Sequence, residues 1–170
     1  MMPKALDWKA AIWAGIIAGL VYVMIVMALI MMQGMSPWGP PRMMAAMVMG
    51  KGVLPAMGEP ATFDMGVMMV GMMVHLVLSV ILAIVLGWGI SRFGLGMAAA
   101  IIVGMIFGIV VYYVDFYGFT SVFPWFAMNR SLTILFGHAM FGAVAGGVYR
   151  GIARHDAKQA GEGANSAARA

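Results

Sequence analysis

The stretch DMGVMMVGMMVHLVLSVILAIVLGWGISR, residues 64–92, decides the fold class of this chain. Between its two terminal charges, residues 65–91 carry no charged side chain. A helix of about 20 apolar residues crosses a bilayer core of about 30 Å, and this run is longer than that. The sequence therefore predicts a membrane-spanning helix with one histidine, His75, in its interior.

The composition of the whole chain is that of a membrane protein. Of its 170 residues, 64% are hydrophobic and 9% are charged, whereas about a quarter of the residues in a soluble domain carry charge. The net charge of +4 comes from basic residues scattered at the ends of apolar runs, so we expect no nucleic-acid partner. The absence of cysteine excludes disulfides, thiolate metal sites and iron–sulfur ligation. No hydrolase, nucleotide-binding or metalloprotease motif occurs, and we expect no enzymatic activity.

The sequence contains four long stretches without a charged residue. They predict an all-α, polytopic membrane protein built as a four-transmembrane-helix bundle within residues 1–154. The tail, residues 155–170, is small, polar and rich in Gly and Ala, which predicts disorder. Only a very short turn joins the second span to the third, so we expect these two to form an antiparallel hairpin. The four spans are expected at about residues 8–32, 64–91, 95–115 and 131–150.

Basic residues at the span ends predict the orientation. Lys and Arg in short loops are retained on the cytoplasmic side. An even number of spans brings six of them to the same side, which predicts that both termini are cytoplasmic. These six are Lys4, Lys9, Arg92, Arg150, Arg154 and Lys158.

The opposite side carries the two longer connections. The first is expected to contain a short interfacial helix from Pro41 to Gly50, because proline suits the first turn of a helix. Near these connections Asp64 and Asp115 accompany Arg42 and Arg130. We interpret these charges as interfacial ion pairs or helix-end charges.

Small residues four apart mark the helix faces that allow close contact in lipid. The same motifs serve packing within one bundle or docking to another protein. Packing within one four-helix bundle is the more common use. Since every span carries such a face, the bundle has more than it needs internally, which leaves room for a membrane-protein partner or a second copy. The candidate packing residues are Gly15, Gly19, Gly104, Gly108, Gly142 and Gly146.

His75 and His138 are the candidate ligands for a cofactor. Both lie two or three residues before the middle of their spans, on the outer side, which places them about 3 to 5 Å from the bilayer midplane on parallel helices. Two imidazoles at equal depth are typical ligands of haem b or of a metal ion. The alternative is a pair of structural histidines bonded to Ser79, to a backbone carbonyl or to each other, and the sequence favours no cofactor over either ligand.

Methionine is the second unusual feature, with 21 residues in the chain. A helical face on the second span combines Met65, Met68, Met72 and His75. Thioether sulfur is a soft ligand that suits Cu(I), so this face predicts a copper path. The alternative is that methionine fills irregular apolar space.

Three stretches of the sequence resemble a known family: ALDWKAAIWAGIIAGLVYVM, SPWGPPRMMAAMVMGKGVL and ATFDMGVMMVGMMVHLVLSV. They are similar to small four-span inner-membrane proteins of proteobacteria, some of which carry the label sodium:proline symporter. The resemblance implies the four-span fold and a bacterial inner-membrane location. It does not imply that transport activity, because the chain is too short for inverted repeats with broken helices.

These observations lead to three alternative functions. The first is a non-enzymatic accessory or assembly subunit that docks to a larger membrane complex. The second is a haem b or copper module that uses His75 and His138. The third is a small oligomeric transporter.

Overall fold

The computed structural model describes residues 5–167. This part of the chain contains five α-helices and no strand, with short 3-10 and π-helical turns in the connections. Four of its helical segments are long and apolar enough to cross a membrane. The predicted fold class is therefore confirmed: this is an all-helical, multi-pass membrane protein. The helices are α1 (Trp8–Met32), α2 (Gly39–Met49), α3 (Met65–Arg92), α4 (Met97–Tyr113) and α5 (Leu132–Ala167).

Short polar side chains begin three of the spanning helices. The Asp7 carboxylate accepts from the Ala10 amide at the start of α1, and Asp64 accepts from Val67 at the start of α3, each at 2.9 Å. The Ser131 hydroxyl accepts from the Ile134 amide at 3.3 Å before α5. Each cap satisfies an amide that the first helical turn leaves without a partner.

The spanning helices α1, α3 and α5 pack together, and α4 lies along α5. Gly94, with a φ of 61°, reverses the chain after α3, but α3 and α4 barely touch. The second and third spans are thus joined by a very short turn, as predicted, but they do not pack closely against each other. The reason is that α4 presents its glycine face to α5, where helix backbones approach more closely than Leu or Val would permit.

The candidate packing glycines all lie at contacts inside the monomer. A Cβ atom on Gly108 would overlap the carbonyl oxygen of His138, and one on Gly142 would overlap that of Gly104. Gly146 lies against the backbone of Ala100 in the same way. On the other side of the bundle, Gly15 and Gly19 face the Val80 backbone and the Ser79 side chain of α3. The small-residue faces are therefore used in building the bundle.

The bundle has two ends, which are named the loop end and the terminal end. The loop end carries the connections between α1 and α3 and between α4 and α5, and the terminal end is where α1 begins and α3 ends. At the loop end, α2 packs on α3, with the Pro41 backbone directly against Gly71. The Trp125 indole nitrogen donates to the Met43 carbonyl at 3.2 Å. The helix predicted from Pro41 thus begins at Gly39 and is packed against the spans.

The charges at the loop end bind backbone rather than each other. Arg42 donates to the carbonyls of Val53 at 2.6 Å and Thr62 at 2.8 Å, and Arg130 donates to Phe116 at 2.7 Å. Neither arginine forms an ion pair with an acidic residue in the described part of the chain. The predicted ion pairs are thus replaced by links that hold the connections together, while Asp64 is a helix-end charge as expected.

The fifth helix continues far beyond its span. It runs to Ala167, so the prediction of a disordered tail is corrected for residues 155–167, and residues 168–170 lie outside the described part. This segment contains no proline and several good helix formers. An ion pair from Lys9 to Asp156 at 3.0 Å ties it to α1.

Candidate functional site

The ring of Tyr22 lies between the two intramembrane histidines. It stacks on His75 with the ring centres 5.2 Å apart and meets His138 edge-on at 5.0 Å. The absence of a side chain at Gly137 leaves room for this ring, because a Cβ atom at that position would lie 2.9 Å from it. Both histidines thus belong to one cluster, but the space beside His138 is filled by a tyrosine.

His75 is held by the backbone of α1. Its Nε2 lies 3.0 Å from the carbonyl oxygen of Gly19 and 3.4 Å from the Ser79 hydroxyl. Because a carbonyl oxygen only accepts, Nε2 carries the proton, and Nδ1 is the nitrogen with a lone pair in the neutral ring. This agrees with the alternative in which a backbone carbonyl or Ser79 binds His75.

His138 uses its other ring nitrogen for a backbone hydrogen bond. Its Nδ1 donates to the carbonyl of Ile134, one turn earlier on α5, at 2.8 Å. Its Nε2 faces the Asp115 carboxylate at 3.7 Å. This distance exceeds that of a hydrogen bond and is suited to an ion pair or to one bridging group. His138 is buried, whereas the Asp115 side chain is 28% exposed.

Asp115 reaches the cluster from a π-helical turn, Val114–Gly118, that follows α4. Such turns are frequent at functional sites. Gly108, two turns earlier, lies directly on the His138 backbone and brings the end of α4 close to α5. Sequence reasoning placed Asp115 at a span boundary and missed its contact, because the rotation of the π-helical turn cannot be counted from a regular helix.

Two small cavities adjoin this cluster, and Tyr22, Met44 and His75 line both. The first has a volume of about 40 Å³ and is also lined by Ser79, Asp115 and His138. A site of this size and polarity accommodates one or two water molecules.

The second cavity, named here the methionine cavity, has a volume of about 30 Å³. It lies beneath α2 at the loop end. Methionines of three helices, α1, α2 and α3, line it together with His75. The methionines are Met27, Met43, Met44 and Met72.

A haem b does not fit between His75 and His138. Pockets for ligands of that size measure about 300–1,000 Å³, whereas the cavity that both histidines line measures about 40 Å³. The Tyr22 ring occupies the space between the imidazoles. The prediction of a shared haem site is corrected for this physical reason.

The predicted methionine face of α3 does not act as a unit. Met65 is 63% exposed, and Met68 is buried beside Ala45 of α2, outside the cavity. Met72 and His75 are the members that reach the methionine cavity. Met27 of α1 and Met43 and Met44 of α2 complete the lining, and no signal in the sequence indicates that these elements meet.

Metal ligands other than sulfur are sparse in this region. Within residues 5–167 no three side chains of His, Asp or Glu come together at a distance suited to one metal ion. The combination that the fold does assemble is thioether sulfur with one imidazole.

The fold and this site define the class of the protein as a multi-pass α-helical membrane protein with a His–Tyr–His–Asp cluster between its helices. Comparison with protein-family models, with curated proteins and with solved structures gives no match. The resemblance to small proteobacterial inner-membrane proteins stays a prediction, and function is argued from the site.

Proposed function

We propose that this chain is a non-enzymatic membrane protein that binds one Cu(I) ion in the methionine cavity. One observation supports this proposal: four methionines from three helices and His75 line the same small cavity. Thioether and imidazole are ligands that suit Cu(I), and they do not suit Mg²⁺ or Ca²⁺, which take oxygen.

The size of the cavity favours an ion over an organic molecule. Its volume is about 30 Å³, far below the roughly 300–1,000 Å³ of pockets that bind organic ligands. Transport of an organic substrate through this site would require a much larger pocket. His75 has Nδ1 as its available ligand atom, since its Nε2 donates to Gly19.

The position of the cavity favours entry from the loop end. Pro40 and Asn129, which belong to the two connections at that end, form part of its lining. We propose a bacterial inner-membrane location with both termini in the cytoplasm, on the basis of the basic residues at the terminal end. Copper would then enter from the outer side of the membrane.

Docking to a larger complex stays a prediction, and no feature of the described structure specifically supports it. Its support was the surplus of small-residue faces. The glycines of those faces lie against backbone or side chains of the same monomer. Assembly into a homo-oligomer likewise stays a prediction.

Copper binding is tested with protein purified without oxygen. The binding of Cu(I) is measured by competition with a chromophoric chelator, and copper content by elemental analysis. We expect about one Cu(I) per chain in the wild type. The triple variant Met43→Leu, Met44→Leu, Met72→Leu removes three sulfur atoms at nearly constant volume, and we expect at least about tenfold weaker binding.

The matched control changes methionines that point away from the bundle. Met24 and Met73 are 71% and 66% exposed, and Met73 is the neighbour of Met72 in sequence. The double variant Met24→Leu, Met73→Leu should bind Cu(I) as the wild type does. A wild type without affinity for Cu(I), or equal losses in both variants, would contradict the proposal.

A further inference from the structure

A larger cavity lies at the terminal end, where the start of α1 and the end of α3 meet α5. Its volume is about 350 Å³. The side chains of Ser91, Tyr149 and Arg150 line it together with the carboxylates of Asp7 and Asp156. It is named here the Arg150 cavity, and it is distinct from the methionine cavity at the loop end.

Arg150 has no acceptor inside the described chain. Within residues 5–167, its Nε is the one buried side-chain nitrogen or oxygen atom without a hydrogen-bond partner. A buried charged donor without an acceptor is costly, because it has lost water and gained nothing in return. This cavity therefore calls for an oxyanion that accepts from the guanidinium group.

Two neighbouring hydroxyls share a hydrogen bond in which either can be the donor. The Asp7 amide donates to the Tyr149 hydroxyl at 3.1 Å. The Tyr149 hydroxyl is also bonded to the Ser91 hydroxyl. When Tyr149 donates in this bond, the proton of Ser91 is left for a second acceptor. Ser91 and Arg150 then offer donors to the same cavity.

The acidic residues of the cavity restrict the ligand's charge. Asp7 caps the Ala10 amide, and Asp156 pairs with Lys9 at 3.0 Å and lies 3.4 Å from the His155 ring. Their charges disfavour a multiply charged anion and favour one negative charge accompanied by a cationic group. A phosphodiester with an attached ammonium group has this charge pattern.

The position of the cavity indicates that the phosphodiester belongs to a membrane lipid. It lies level with the first residues of α1 and the last residues of α3. These are the points where the apolar runs end, so they lie at the level of lipid head groups. A volume of about 350 Å³ is also in the range of pockets for small organic groups.

We propose that the Arg150 cavity binds the head group of a glycerophospholipid, with phosphatidylethanolamine as the preferred lipid. The phosphate oxygens accept from the Arg150 guanidinium and the Ser91 hydroxyl, and the ammonium group faces Asp7 and Asp156. The bound lipid joins the ends of α1, α3 and α5.

The experiment measures lipid retention by native mass spectrometry and the unfolding temperature in mild detergent with added phosphatidylethanolamine. We expect one retained lipid per chain in the wild type. Arg150→Gln should weaken binding by roughly tenfold or more, since it removes a charged hydrogen-bond donor. Arg154→Gln removes the same charge from an exposed position one turn further along α5, and it should bind lipid as the wild type does.

Two further arms separate the possible outcomes. Ser91→Ala leaves the guanidinium in place and should weaken lipid binding several-fold, which keeps the test valid if Arg150→Gln fails to fold. Inorganic phosphate should neither stabilise the protein nor displace the lipid. Equal lipid retention in wild type, Ser91→Ala and any folded Arg150→Gln would overturn the proposal, as would stabilisation by inorganic phosphate alone.

Discussion

Tyr22 is the residue that gives the candidate site its form. It is 7% exposed, it contacts both His75 and His138, and it lines both cavities beside them. A smaller side chain would leave the two imidazoles without their common neighbour and would merge the cavities. The aromatic ring thus contributes to the wall of both cavities, together with Met44 and His75.

Substitution of Tyr22 tests this role. Tyr22→Ala should lower the free energy of unfolding by roughly 3 kcal/mol, because a large buried ring is lost and the space does not refill. Tyr22→Phe keeps both ring contacts and should change it by less than about 1 kcal/mol. The measurement is denaturant unfolding in detergent followed by tryptophan fluorescence. Equal stability of the alanine and phenylalanine variants would show that the ring contacts do not matter.

At the scale of helices, glycine contacts decide which elements pair. Gly104 and Gly108 allow the α4 backbone to reach that of α5, while α3, the neighbour of α4 in sequence, remains apart. This pairing positions the π-helical turn that presents Asp115 to His138. Close backbone approach therefore serves the geometry of the site as well as stability.

A pair of alanine substitutions tests the close approach. Gly108→Ala would place a Cβ on the His138 carbonyl and should destabilise the protein by about 1–3 kcal/mol, as overpacking does. Gly89→Ala is the control, since nothing lies within 4 Å of its Cβ position. It should be neutral or stabilising by up to about 1 kcal/mol, because alanine is the better helix former. Thermal unfolding in detergent distinguishes the two, and a neutral Gly108→Ala would contradict the packing.

At the scale of the whole molecule, the surface around the spans is apolar. Trp88, Ile106 and Phe136 lie on different spans and are each more than half exposed, as expected of side chains that face lipid. The terminal end carries the basic residues that predict a cytoplasmic location. Orientation decides from which side the methionine cavity is reached.

Cysteine labelling tests the orientation, because the chain has no cysteine of its own. Glu59 and Ser121 are exposed at the loop end, and Ser166 is exposed on the far part of α5. In intact cells a membrane-impermeant thiol reagent should modify Glu59→Cys and Ser121→Cys but leave Ser166→Cys unmodified. After lysis all three should react. Modification of Ser166→Cys alone in intact cells would reverse the orientation.

The sequence by itself determined the class of the protein and its spans. Length and apolarity of a helix are local properties, so the four runs could be counted directly. The positions of the packing glycines followed from the same periodicity. The depth of His75 and His138 could also be counted, since each residue advances a helix by about 1.5 Å.

Only the tertiary structure decided what those residues contact. It placed Tyr22 between the histidines, turned Asp115 toward His138, and left the Arg150 Nε without an acceptor in the described chain. It also assembled the methionine cavity from three helices and left Met65 outside. The physical reason is that rotation about each helix axis, and the choice of neighbouring helix, depend on contacts between residues far apart in sequence.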